Sequence, residues 1–227
     1  GGVLAIRSAT GLSSGWAVPL CLTCVLIMTL ANLRGLKESG ALFAPPTYFY
    51  VVMLLALIVT GLIRVYAFHL GRIPDSKLSA EAIAFSHQTK TLGIMLLLRA
   101  FSSGAVALSG VEAVSNGVPA FKKPESKNAS ITLVWMATIL GSCFIGVSVL
   151  ASKLKPFRSD QDATGLALMA AHIFGGKNVL FWAMQISTFA VLILAANTAY
   201  ADFPRLSSII AHDGFIPRQF RNRGDRL

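Results

Sequence analysis

Long apolar runs separated by shorter polar stretches dominate the chain. The runs cover residues 16–33, 42–63, 92–121, 129–152 and 178–202. A helix needs about 20 mostly apolar residues to cross the roughly 30 Å hydrocarbon layer of a membrane. The pattern therefore predicts an all-α, multi-pass membrane protein with five spans. Residues 1–9 fit the end of an earlier helix.

The third run differs from the others because it carries helix breakers. Three glycines and Pro119 lie within residues 98–119, and a glycine costs about 1 kcal/mol in a helix interior relative to alanine. The run is also longer than a straight crossing needs. We expect a helix that is broken midway, as in transporters with discontinuous membrane helices.

Polar residues of this run share one helical face. Ser102, Ser109, Glu112 and Asn116 are seven, three and four residues apart, a spacing that stacks side chains on one side of a helix. Glu112 is the sole acid well inside any of the five runs. A charge near the middle of a membrane costs at least ~2.5 kcal/mol on insertion scales, so such an acid usually has a role.

Two functions and one structural explanation are open for Glu112. Its carboxylate could coordinate a cation beside Ser109 and the carbonyls freed by unwinding around Gly110. Its acid form could instead carry the proton that couples transport. Alternatively, Glu112 is protonated or paired with a helix neighbour and only orders the packing. The predicted substrate- or ion-binding residues are Ser109, Gly110, Glu112 and Asn116, with Glu112 also the proton-coupling residue.

The last run ends in polar residues that mark a predicted exit from the membrane at Pro204. Residues 203–227 are predicted to form a cytoplasmic tail that leads to a further helix. Asp202 and Arg205 read as an interfacial pair and a candidate cytoplasmic gate. A plain helix-end ion pair, usually worth less than ~1 kcal/mol, explains the same residues equally well.

Composition excludes the main alternatives to a membrane protein. Of the 227 residues 54% are apolar and 13% are charged, whereas soluble domains carry about a quarter charged residues. The chain has a net charge of +10. Its Lys and Arg residues lie almost entirely between the apolar runs, where such residues contact anionic lipid headgroups. We therefore expect lipid and not nucleic acid as the partner. Lys and Arg counts only weakly favour a cytoplasmic location for the tail and for the connections at 34–40 and 122–128.

The chain lacks the side chains that an enzyme would need around Glu112. General acid–base chemistry requires a partner within hydrogen-bond reach, and the histidines all fall in the connections between runs. They are His69, His87, His172 and His212. We expect neither an enzyme nor a cofactor. The three cysteines lie inside apolar runs and are predicted to be small residues at helix contacts.

Several stretches of the chain together resemble one transporter family. Residues 32–40 are similar to the turn between its fourth and fifth helices, and residues 109–113 and 121–125 to its unwound sixth helix and the next loop. Residues 198–205 and 213–218 are similar to its eighth helix and the exit from it. The family is the amino acid–polyamine–organocation (APC) superfamily. The stretch at 200–205 looks more like the Kim-type potassium importers of the KUP family than like amino acid permeases.

This resemblance implies a twelve-helix, LeuT-type inverted-repeat fold. The chain would cover the end of helix 3 through helix 8, as one transmembrane domain truncated at both ends, with the two short connections and the tail inside. In the potassium branch, oxygens from helices 1, 3 and 6 hold the cation and protons are the coupling ion. Ser109 matches a threonine that ligates potassium, and serine keeps the hydroxyl. Glu112 matches the glutamate proposed to bind or release the proton.

The expected function is therefore a proton-coupled, alternating-access importer of a cation, with potassium favoured, in the bacterial inner membrane. An amino acid permease of the same superfamily is the alternative, although Glu112 would be awkward beside a substrate carboxylate. A transport-dead membrane sensor is the third reading. The expected partners are membrane lipid and either a small inorganic cation or an amino acid, and a homodimer is left open.

Overall fold

The computed structural model describes residues 2–33, 40–74, 94–105, 110, 114, 118, 121–156 and 164–221. Its helices are α1 (Gly2–Thr10), α2 (Ala17–Leu33), α3 (Gly40–Tyr66), α4 (Ile94–Ala105), α5 (Glu125–Leu154), α6 (Gly165–Phe174) and α7 (Val179–His212). Two 3₁₀ turns cover Ser14–Trp16 and Arg218–Arg221. Every regular element in these described ranges is helical, in agreement with the all-α prediction.

Among the described residues, three helices are long and apolar enough to cross a membrane. The segments are Ala44–Tyr66 of α3, Glu125–Leu154 and Val179–Thr198 of α7. Helix α2 has 17 residues, which extend about 25 Å at 1.5 Å per residue, less than the ~30 Å of the hydrocarbon layer. A crossing by residues 16–33 therefore stays a prediction, and most of the run at 92–121 lies outside the described residues.

Helix α7 is the centre of the first of two units, which comprises residues 1–73 and 160–227. Helices α1, α2, α3 and α6 all contact it, and its Phe181 and Met184 are fully buried. Helix α1 runs antiparallel to α7, since Gly2 lies beside Phe189 while Lys177 Nζ donates to the carbonyl of Ala9 at 2.9 Å. A Cβ on Gly2 would lie 3.3 Å from Phe189 Cδ2, so glycine permits the close approach of the two helices.

A short connection capped on both sides joins α6 to α7. Helix α6 begins after Thr164, whose side chain accepts a hydrogen bond from the N–H of Ala167. It ends at Gly175, which adopts the left-handed φ of +80° that favours glycine. Asn178 Oδ1 then accepts from the N–H of Phe181 at 3.0 Å and starts α7.

Helix α3 begins earlier than the pair Pro45-Pro46 suggested. Proline suits the first turn of a helix, but α3 starts at Gly40 and includes both prolines. Proline lacks the N–H that would bond to the carbonyl four residues before it, so two intrahelical bonds are missing. The preceding residues 41–44 are Ala, Leu, Phe and Ala, and alanine and leucine favour a helix strongly enough to extend it.

Helix α7 continues past Pro204, the predicted exit, and ends eight residues later at His212. Its last turns are held by tertiary contact with the 3₁₀ turn at Arg218–Arg221. Ser208 is 7% exposed and its Oγ donates to the carbonyl of Arg221 at 3.1 Å. This contact explains why the helix outlasts both the apolar run and the proline.

The second unit comprises residues 74–159 and contains α4 and α5. Pro124 precedes α5, and Asn128 Nδ2 donates to the carbonyl of Lys122 at 2.8 Å, which fastens the preceding loop to the first turn. Glu125 lies in the first turn and Lys153 in the last, where each charge complements the helix dipole. The helix is therefore longer than the apolar run at 129–152.

Candidate functional site

Of the predicted binding residues, the structure places Gly110. Ser109, Glu112 and Asn116 lie outside the described residues, so the site itself stays a prediction. Gly110 is helical and half-buried, and a Cβ built on it would lie 3.6 Å from Met136 Sδ. Gly110 therefore packs beside Met136 of α5, at ordinary van der Waals distance.

The break predicted in the third run is not seen at Gly110 itself, which has helical conformation. Further along, the N–H of Phe121 donates to the carbonyl of Val118 at 3.1 Å. At the other end, Ser102 lies in α4 and is exposed. Unwinding around Gly110 thus concerns neighbours that fall outside the described residues.

The candidate gate residues Asp202 and Arg205 lie on the backbone of α7, and their side chains are outside the description. The gate therefore also stays a prediction. The helical backbone places the two residues three positions apart, which is close enough for their side chains to be neighbours.

A set of polar contacts that sequence reasoning missed joins α2 to α7 just before Asp202. Asn32 Nδ2 donates to Asn197 Oδ1 at 2.7 Å, and the hydroxyls of Thr29 and Tyr200 lie 3.2 Å apart. We call these four residues the α2–α7 clasp. The polar stretch at the end of the last run was visible in the sequence, but its partners are more than 160 positions away.

Cationic side chains bind helix-end carbonyls elsewhere in the first unit. Arg64 Nη1 donates to the carbonyl of Ile173 in the last turn of α6, and Lys177 Nζ binds the carbonyl of Ala9 near the end of α1. His172 Nε2 is 2.9 Å from the carbonyl of Gly71. The last carbonyls of a helix have no intrahelical donor and carry a partial negative charge. These contacts fasten α6 to the ends of α1 and α3.

One buried amide nitrogen has no hydrogen-bond partner among the described residues. Gln185 of α7 is 1% exposed, and within the described part of the chain its Nε2 makes no hydrogen bond. Burying a donor without a partner costs about 1–3 kcal/mol. Sequence reasoning missed Gln185 because it is a single uncharged polar residue in an apolar run.

The cysteines and acids of the described ranges do not form a metal centre. Within those ranges no group of three or more His, Cys, Asp or Glu residues is placed to hold a metal ion. All three cysteines are free. Cys143 is buried, as expected for a small residue at a helix contact, whereas Cys21 is exposed and does not fit that expectation.

Comparisons with known proteins give the same family for nearly the whole chain. A family model described as "Amino acid permease" matches residues 12–226. The chain is 40% identical over 230 aligned residues to a protein named "Potassium transporter KimA" from Bacillus subtilis (strain 168). The alignment covers all of this chain and 36% of that relative, so the chain spans about a third of the relative's length.

Proposed function

Because the chain belongs to the amino acid permease family of the APC superfamily, we propose that it is part of a secondary transporter that imports potassium. The observation that supports potassium as the substrate is the 40% identity, across the full chain, to a protein named as a potassium transporter. The matching family is described as a permease family and the similar protein as a transporter, so neither description is that of an enzyme. The three apolar helices long enough to cross a membrane support a multi-pass protein, and we place it in the bacterial cell membrane.

The cation site is proposed on the third run. Ser109 contributes its hydroxyl oxygen, and Gly110 and its neighbours contribute backbone carbonyls if the helix unwinds there. Asn116 follows Ser109 by seven residues in the sequence, a spacing that would place both on one helical face, so we propose its amide oxygen as a further ligand. Oxygen ligands from side chains and backbone are those that replace the hydration shell of potassium in protein sites.

Glu112 is proposed to couple the cation to a proton. A carboxyl group in a membrane is more stable when it is neutral, so we propose that Glu112 has its proton bound when the loaded site changes from outward to inward access. For both ions to enter the cell, Glu112 takes up its proton and the site takes up potassium from the outside, and both are released to the inside. Alternating access separates the two steps, and Asp202 with Arg205 is the proposed cytoplasmic gate.

The second candidate function is amino acid transport, which the description of the matching family favours. In that case the backbone around Gly110 would meet the carboxylate and amine of the substrate. Glu112 counts against this alternative, since its carboxylate would repel the carboxylate of the substrate at close range.

The test is uptake by the full-length protein in bacteria that lack their own potassium uptake systems. At low external potassium, we expect the protein to restore growth and to admit rubidium. An empty vector and the Glu112→Gln variant are the controls. Membrane-located, folded protein that restores neither growth nor rubidium uptake, but takes up a labelled amino acid, would replace the potassium proposal with the second candidate.

A further inference from the structure

We propose that the α2–α7 clasp positions the part of α7 that carries Asp202 and Arg205, and thereby sets the rate of translocation. The clasp consists of Thr29 and Asn32 on α2 and of Asn197 and Tyr200 on α7. Its link to transport rests on the proposed function, whereas its effect on α7 does not.

The spacing of the clasp fixes both the rotation and the height of α7 against α2. On each helix the two residues are three positions apart, so they lie on one face. The partners are matched in reverse order, Thr29 with Tyr200 and Asn32 with Asn197. A shift of either helix by one residue rotates that face by about 100° and breaks both contacts together.

The donors that α2 contributes to the clasp, on Asn32 and Thr29, already have acceptors within the protein, as expected for a tie between helices. Asn32 Nδ2 uses one hydrogen on the carbonyl of Met28 at 2.8 Å and the other on Asn197 Oδ1. Thr29 Oγ1 lies 2.8 Å from the carbonyl of Val25. Its own hydrogen can bond there while it accepts the hydrogen of Tyr200.

The backbone of α7 is weakest directly after the clasp. Pro204 has no N–H to donate to the carbonyl of Tyr200, so one bond of the helix is absent where the clasp ends, a common cause of helix bending. Beyond the proline, Ser208 fastens the helix to the carbonyl of Arg221 at 3.1 Å. The segment with Asp202 and Arg205 therefore lies between two side-chain ties and contains a missing backbone bond. The orientation of this segment of α7 therefore depends on the hydrogen bonds of the clasp and of Ser208.

The first experiment is a double-mutant cycle on uptake by the full-length protein. Thr29→Val and Tyr200→Phe each remove one hydroxyl with little change of shape. We expect each to lower the maximal uptake rate per folded protein about three- to tenfold, the effect of one interhelical hydrogen bond in a membrane. The half-saturating rubidium concentration should stay within about twofold of the wild-type value, and the double variant should lose no more than either single variant.

Two matched controls separate the clasp from the loss of a hydroxyl in general. Thr23 lies on α2, is exposed, and bonds to the carbonyl of Pro19 at 2.8 Å, as Thr29 does to its own helix. Tyr48 is 71% exposed. Thr23→Val and Tyr48→Phe should keep wild-type rates. Wild-type rates in the clasp variants, additive losses in the double variant, or a change confined to the half-saturating concentration would overturn the proposal.

A second readout does not depend on transport. Phe203 is 63% exposed and follows Tyr200 by three residues. In a cysteine-free, full-length background, the alkylation rate of Phe203→Cys should change at least about threefold when Thr29→Val or Tyr200→Phe is added. The two controls should leave that rate unchanged.

The two readouts separate failure of the clasp from failure of the proposed function. If the wild-type protein takes up neither rubidium nor a labelled amino acid, the proposed function fails and alkylation alone decides whether the clasp positions α7. Unchanged alkylation in both clasp variants overturns the inference in every case. Altered alkylation with wild-type uptake would overturn its link to translocation.

Discussion

At the scale of single residues, the proposal depends on oxygen atoms placed in an apolar span. Ser109 and Glu112 are polar residues in an apolar run of the sequence, and a polar group in a membrane is costly unless something binds it. Gln185 has the same cost without a known benefit, because its buried Nε2 has no partner among the described residues. We therefore expect an apolar replacement of Ser109 to weaken cation binding, and an apolar replacement of Gln185 to stabilise the protein.

Replacement of Ser109 by alanine should weaken cation binding. The variant loses one oxygen ligand, so we expect the half-saturating rubidium concentration to rise roughly tenfold, equivalent to ~1.4 kcal/mol, with a smaller fall in maximal rate. Ser103→Ala in α4, where the side chain is exposed, is the matched control. An unchanged rubidium dependence in Ser109→Ala would remove Ser109 from the site.

Replacement of Gly110 should depend on the size of the new side chain. Alanine adds a Cβ at 3.6 Å from Met136 Sδ, an ordinary contact, and we expect near-normal amounts of folded protein. Phenylalanine must displace Met136, so folded protein should fall, and Met136→Ala should restore part of it. A severe loss in Gly110→Ala would show that the contact with α5 is not what limits this position.

Replacement of Gln185 by methionine should stabilise the protein. The change removes a buried donor without a partner and keeps the length of the side chain, so the free energy of unfolding should rise by about 1 kcal/mol. A higher thermal midpoint in detergent is the readout. Gln219→Met is the control, because that side chain is exposed. A lower midpoint in Gln185→Met would mean that the amide has a partner, such as bound water.

At the scale of helices, apolar patterning predicts the middles of the helices better than their ends. The apolar runs identify the centres of α3, α5 and α7, because a run of that length has to be helical in a membrane. The starts and ends are decided by local and tertiary contacts that the runs do not contain. Helix α3 extends back to Gly40 through good helix formers, and α7 passes Pro204 because Ser208 binds the turn at Arg221.

The contacts between helices are harder to predict than the helices themselves. The polarity of Asn197 and Tyr200 is plain in the sequence, but their pairing with Asn32 and Thr29 arises only when α2 and α7 pack in one register. The resemblance identifies Ser109 and Glu112 from a local motif, which needs no knowledge of packing. Sequence alone therefore proposes the cation site but misses the clasp.

The fastening of α6 gives a prediction at this scale. Arg64→Met removes the charged donor to the carbonyl of Ile173, and hydrogen bonds to charged groups contribute about 1.5–3 kcal/mol. We expect a lower thermal midpoint, with part of the loss recovered in Arg64→Lys. The exposed Arg218 provides the control Arg218→Met. Equal midpoints for Arg64→Met and wild-type protein would contradict a stabilising role for this contact.

At the scale of the whole molecule, the chain matches only part of its relative, so the proposed cation site needs residues from other parts of the full-length protein. The chain corresponds to about a third of its relative, and the resemblance places further cation ligands on helices 1 and 3. Inverted-repeat transporters form their sites between two repeats, so the described helices supply one part of such a site.

The 227-residue chain expressed by itself should therefore not transport. In the same potassium-uptake-deficient cells, we expect the full-length protein to admit rubidium and the chain alone to give only the background of an empty vector. Membrane insertion of both is checked in parallel. Rubidium uptake by the inserted chain alone would show that a complete site lies within these residues.

The most direct test of the central claim is rubidium uptake into liposomes that contain the purified full-length protein, with and without an imposed inward proton gradient. We predict that the gradient accelerates uptake by the wild-type protein and by Glu125→Gln, a control at the start of α5. The Glu112→Gln variant should be inactive or should take up rubidium at a rate that does not depend on the proton gradient. Gradient-driven uptake at the wild-type rate in Glu112→Gln would contradict proton coupling through Glu112.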